Sequence, residues 1–216
     1  MRGLFDTPTV SYCETAIDGI IKRPWYALSN IAFFIAAFAI YRTEKSNLTR
    51  QFAAVTMTVG SLSLLYDVTY TYAAQLLDLS GMLLFINLLL FLNLKRLYPM
   101  LKSLGWILVC YALMMTIIIT LGSYAGNAVF GLYVLAVIIT GALLLRKGWF
   151  TNGRLWYSNL VLFAVGFAIW ILDASKAVCF DFGLLNGRAI FHYICAFIMY
   201  RMFIFYRQQT VQDTSQ

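Results

Sequence analysis

The chain has 216 residues, 62% of them hydrophobic and only 12% charged, with a mean hydropathy of +0.78. Soluble domains carry about 25% charged residues, so a water-soluble globular class is excluded and a polytopic membrane protein is expected. The net charge of +7 does not point to nucleic acid, because the cations cluster in the short segments between apolar runs.

In chain order, a short polar segment (1–24) comes first. Its first 21 residues carry acids and polar groups where a secretory signal peptide needs an apolar core. Apolar runs then cover residues 25–41, 52–72, 76–94, 104–121, 126–145, 157–174 and 189–206. Each is close to the ~20 residues that cross a bilayer as a helix. The expectation is one all-α domain over 1–216, with seven transmembrane helices and a polar tail at 208–216. The second and third runs are joined by a very short turn, so they form a tight hairpin. Lys and Arg in alternate loops divide eleven against five, the larger set including the C-terminal side. The positive-inside rule then puts the C-terminus in the cytoplasm and the N-terminus outside or lumenal.

Several polar residues interrupt this pattern. Asp67 falls within the second run, four residues after Ser63 and so on the same helix face. Asp78 opens the third run, Asp173 ends the sixth, and Arg188 and His192 begin the seventh. With the predicted orientation all of them share one half of the membrane. An ionised side chain there costs about 2.5–3.5 kcal/mol even on the lenient insertion scale, and such residues mark sites by default. Plainer roles exist for each. Ser63 can bond its own helix backbone. Asp78 can cap a helix start. Asp67 and Arg188 can pair and staple two helices. His192, the single His in the chain, is a satisfied core residue or the one conventional general base.

Four segments resemble the alkaline ceramidase family, membrane amidases within a wider group of seven-helix, zinc-dependent hydrolases. They are Y-C-E at 12–14 with R-P-W-Y-A-L-S-N at 23–30; G-S-L-S-L-L-Y-D-V-T at 60–69 with Q-L-L-D at 75–78; W-I-L-D at 170–173 followed by Cys179; and G-R-A-I-F-H at 187–192. The resemblance implies a zinc held by three His, one from the second helix and two from the last. A Ser one turn earlier and the Asp of Q-L-L-D complete that site. The metal activates water against the amide of ceramide.

Carried over, Ser63, Asp78 and His192 keep their positions as catalytic candidates. Asp67 stands at the first His position and Arg188 at the second. Asp67 and His192 are then the candidate metal ligands, while Arg188 is antagonistic, being a cation with no acceptor. The family's second, calcium-type site is reduced to Glu14 and Asp18, since Arg23 stands where a Glu is expected. A hard cation wants several oxygens, so calcium is not expected. Cys13 and Cys179 fall on the outer side, where the compartment permits a disulfide, as the resemblance also implies.

Two readings follow. In one, the protein hydrolyses a ceramide-like N-acyl lipid with an altered zinc site or with His192 as base. In the other, it is a non-catalytic lipid-binding or sensing relative in which an Asp67–Arg188 ion pair replaces the metal. A third, more distant reading takes Asp173 and Lys176 as a retinal counter-ion and Schiff-base lysine in a seven-helix receptor. Their spacing of three, and a full apolar run after Lys176, speak against it.

Overall fold

A computed structural model describes residues 3–98, 122–179 and 183–213, with scattered positions between 105 and 120. The described residues form helices and no strand. In chain order these are α1 (Pro24–Ser29), α2 (Ile31–Tyr41), α3 (Asn47–Thr69), α4 (Tyr72–Leu97), α5 (Ser123–Arg146), α6 (Gly153–Ala174) and α7 (Gly187–Asp213), with a 3₁₀ turn at Gly183–Leu185. Among the described residues, six helical segments are long and apolar enough to cross a membrane. They correspond to six of the seven expected runs. The remaining run, 104–121, lies mostly outside the described residues.

Local chemistry explains the element boundaries. Pro24 starts α1, where its missing N–H costs nothing. Ser46 caps α3 by accepting the Thr49 N–H at 3.1 Å, and Asn152 caps α6 through Leu155 N–H at 3.1 Å. Asn186 does the same for α7, accepting the Ala189 N–H at 3.0 Å. Between α3 and α4 the chain turns at Tyr70, whose φ of 50° lies in the left-handed region. That conformation is costly for a bulky residue.

The start of α4 corrects one expectation. The helix begins at Tyr72, six residues before Asp78, so Asp78 is an interior helix residue and not a cap. The first span is also not one helix. α1 and α2 meet at Asn30, which closes one and opens the other.

The chain divides into two compact units, Met1–Gln75 with Asn152–Gln216, and Leu76–Thr151. In the first, α2 packs on α3 and α7, and α6 packs on α7. Close approaches depend on glycine. A Cβ on Gly60 of α3 would meet the Phe33 Cβ of α2 at 2.7 Å, and one on Gly187 of α7 would meet the Asp173 Cβ of α6 at 2.7 Å. The second unit holds most of α4 and all of α5. There, buried Asn93 donates to the Thr140 hydroxyl at 2.9 Å, joining the two helices.

Candidate functional site

The site is built inside the first unit, around a carboxylate. Asp67 lies on the last turns of α3 and is fully buried. Its Oδ1 accepts from Arg23 Nη2 at 2.8 Å and lies 3.3 Å from Arg188 Nε. Its Oδ2 accepts from the side-chain amide of Asn30 at 3.0 Å. Three groups from three elements therefore converge on one anion. The backbone holds the same junction, since the N–H groups of Lys22 and Arg23 donate to the carbonyls of Val68 and Asp67 at 3.0 and 3.1 Å. This pins the entry to α1 against the end of α3.

The guanidiniums sit in a cage of tyrosines. The Arg23 Cζ lies 4.4–5.3 Å from the ring centres of Tyr12, Tyr26, Tyr66 and Tyr70. The Arg188 Cζ lies 4.6–5.9 Å from those of Tyr12, Tyr26 and Tyr66, and its Nη1 donates to the Tyr12 hydroxyl at 2.8 Å. Aromatic faces attract a cation electrostatically, more so when water is excluded. They offset part of the desolvation of two cations that share one carboxylate. The same contact accounts for the left-handed Tyr70, whose ring is carried over Arg23 at 4.4 Å.

A second chain of hydrogen bonds runs beside the first. The Tyr26 hydroxyl donates to Asp173 Oδ2 at 2.7 Å and accepts the Glu14 backbone N–H at 3.1 Å. The Glu14 carboxylate in turn takes the Trp25 and Tyr26 N–H groups, each at 2.9 Å. Glu14 thus caps α1 from outside the helix. Burial pushes its carboxyl above the usual range, against the pull of those two N–H groups and of Arg23. Cys13 and Cys179 are joined by a disulfide that ties this segment to the connection between α6 and α7.

His192 lies one turn beyond Arg188 on α7, and it is buried. Its Nδ1 is 2.7 Å from the Ser29 hydroxyl and its Nε2 is 3.4 Å from the Ser63 hydroxyl. No bond joins it to Asp67 among those described.

Asp78 is buried on α4 in the second unit. Asp18 is exposed. Lys176 is exposed in the turn after α6 with a φ of 56°, which does not fit a lysine carrying a buried chromophore.

A family model for ceramidases matches residues 6–216. The chain belongs to the ceramidase family. No curated protein matches it. Ceramidase-family membership brings the implied zinc to this site, and the donors here do not fit it. At the first position of the implied ligand set the Asp67 carboxylate is filled by Arg23, Asn30 and Arg188. At the second stands the Arg188 guanidinium itself. Of the three implied ligand positions, the one at His192 keeps an imidazole donor, where zinc takes three or four protein ligands. Of the calcium-type set, both Glu14 oxygens accept backbone N–H groups and Asp18 is exposed.

Beyond their place in a family-like segment, the sequence assigns no site role to Arg23, Tyr26, Ser29 and Asn30. All four are almost completely buried and come from a single stretch of eight residues, R-P-W-Y-A-L-S-N. The available signal was the Ser29–Asn30 pair in the middle of an apolar run. Arg23 read as a loop cation because nothing in the sequence brings it to α3.

Proposed function

We propose that the protein is a membrane-embedded, ceramide-binding member of its family in which a carboxylate–guanidinium cluster stands where the relatives' zinc is implied. The lipid is of the ceramide class, an N-acyl amide with long apolar chains. The bundle has seven spans, with the N-terminus outside and the C-terminus in the cytoplasm. The eleven-to-five division of loop cations supports that orientation.

The observation that carries the reading is the shared carboxylate of Asp67, fully buried with Arg23 at 2.8 Å and Arg188 at 3.3 Å. A zinc here would have to displace two cations from their anion. Breaking a buried charge pair costs about 3–5 kcal/mol. The cluster joins α3, α7 and the entry to α1, which is the structural work expected of a bridging metal.

The test is a binding titration of the detergent-solubilised protein with a fluorescent ceramide, beside elemental analysis. We expect saturable ceramide binding, no stoichiometric zinc, and an unchanged isotherm after chelator treatment. One zinc per chain, with binding lost to chelator, would overturn the proposal.

A further inference from the structure

We infer that Ser63, His192 and Ser29 form a metal-free nucleophilic relay, with Ser63 as nucleophile, His192 as its base and Ser29 as the positioning residue. For its substrate class, an N-acyl lipid, the inference rests on the reading above.

The argument begins with one hydroxyl proton. Ser29 sits at the end of α1 and is buried. Its hydroxyl donates to the Tyr26 carbonyl at 2.7 Å. A hydroxyl has one proton, so toward His192 the Ser29 oxygen must act as acceptor. The His192 Nδ1, 2.7 Å away, is therefore the protonated ring nitrogen. In the neutral imidazole the other nitrogen, Nε2, then carries the lone pair. That lone pair faces the Ser63 hydroxyl at 3.4 Å.

This is the order of roles a nucleophilic site requires: a hydroxyl, a base within reach of its proton, and a third group that sets the tautomer of the base. The 3.4 Å separation is long for a hydrogen bond, and such contacts are often loose before substrate closes the site. The tyrosine–arginine cluster braces the relay. Asn30, next to Ser29, donates to both the Tyr26 carbonyl and Asp67 at 2.9 and 3.0 Å. The carbonyl that orients Ser29 is thus itself held by the ion cluster.

The chemistry balances with water as the only co-reactant. Ser63 Oγ attacks the acyl carbonyl and forms an O–C bond while its proton passes to His192 Nε2. The C–N bond breaks, and the leaving amine takes that proton from His192. Water then attacks the acyl-Ser63 ester, giving its proton to Nε2. Ser63 departs and recovers the proton, leaving a free fatty acid and an amine.

Treatment of the full-length protein with hexadecyl fluorophosphonate tests the relay. The probe phosphonylates an activated serine with loss of fluoride, and peptide mass mapping locates the adduct. We expect one adduct, on Ser63, in the wild type and none in Ser63→Ala. In His192→Gln, labelling should slow by about 100-fold or more, the usual share of a general base. Ser29→Ala should slow it by about 10-fold and Ser29→Thr, which keeps the hydroxyl, should restore it. Such rescue would not follow from a purely structural role. Melting curves report whether each variant is folded, and the wild type alone decides if a variant is not. Folded wild type with no adduct, or with the adduct elsewhere, overturns the relay, as does undiminished labelling in folded His192→Gln. The ceramide titration separates the two claims: binding without an adduct removes the relay and leaves the lipid reading, and an adduct without binding does the reverse.

Discussion

Arg23 donates to Asp67 at 2.8 Å with both side chains completely shielded from solvent. This contact ties the end of the N-terminal segment to the end of α3. Arg188, one turn before His192 on α7, approaches the same oxygen at 3.3 Å. The Asp67 carboxylate thus meets two cations, so its removal affects more charged partners than removal of either arginine.

Removing the shared anion should be worse than removing either cation. Asp67→Asn leaves two buried guanidiniums facing a neutral amide. Arg23→Met or Arg188→Met still leaves a one-to-one pair. We expect Asp67→Asn to cost about 3–5 kcal/mol and each arginine variant less. Unfolding midpoints in a common detergent check the order. A milder loss in Asp67→Asn than in Arg23→Met would sink the shared-anion account.

Restoring His at positions 67 and 188 should not by itself recover a zinc site. The Arg23 guanidinium, whose Nη2 now meets Asp67, would remain beside the metal and repel it. Adding Arg23→Glu to Asp67→His and Arg188→His should give one zinc per chain, with the double variant well below that. Elemental analysis of both proteins, each verified as folded, distinguishes the outcomes. Equal zinc in the two would remove Arg23 from the explanation.

The Tyr26 hydroxyl links Asp173 to the Glu14 backbone. Tyr26→Phe keeps the ring over the arginines and deletes only that bridge. The buried Asp173 carboxylate then loses a donor, at a cost of about 1–3 kcal/mol. A melting temperature equal to the wild type would show that the bridge contributes nothing.

Glu14 should give a pH dependence of definite sign. Burial raises its carboxyl above the ordinary value of 4.5, so the folded protein holds this proton more tightly than the unfolded chain does. Its contribution to stability is therefore full below the ordinary value and is lost as pH rises through the folded value. Stability relative to Glu14→Gln should fall as pH rises above the ordinary value of 4.5 and then level off. Denaturation midpoints of the two proteins across that range measure it. A difference that grows with pH would contradict the assignment.

Reducing the Cys13–Cys179 bond should loosen the N-terminal segment that carries Tyr12 and Glu14. The bond closes a loop of 166 residues, and loss of a native disulfide typically costs about 2–5 kcal/mol. Cys13→Ser with Cys179→Ser should melt lower than the wild type, and a reductant should lower the wild type to meet it. An unchanged melting temperature in both would deny the bond a structural role.

What the sequence determined by itself was the class of molecule and its family. Apolar runs of spanning length dictate helices because lipid offers the backbone no other hydrogen-bond partner. Ser63, Asp67, Arg188 and His192 were legible as a group because helical spacing puts each pair on one face. The tertiary structure decided how those groups pair. Arg23 meets Asp67 across 44 residues of chain, and Ser29 meets His192 across 163. No local period encodes such contacts. A short-range pattern records which face a residue occupies; only the packing of α1 against α3 and α7 selects which cation reaches the carboxylate and which hydroxyl sets the tautomer of the histidine.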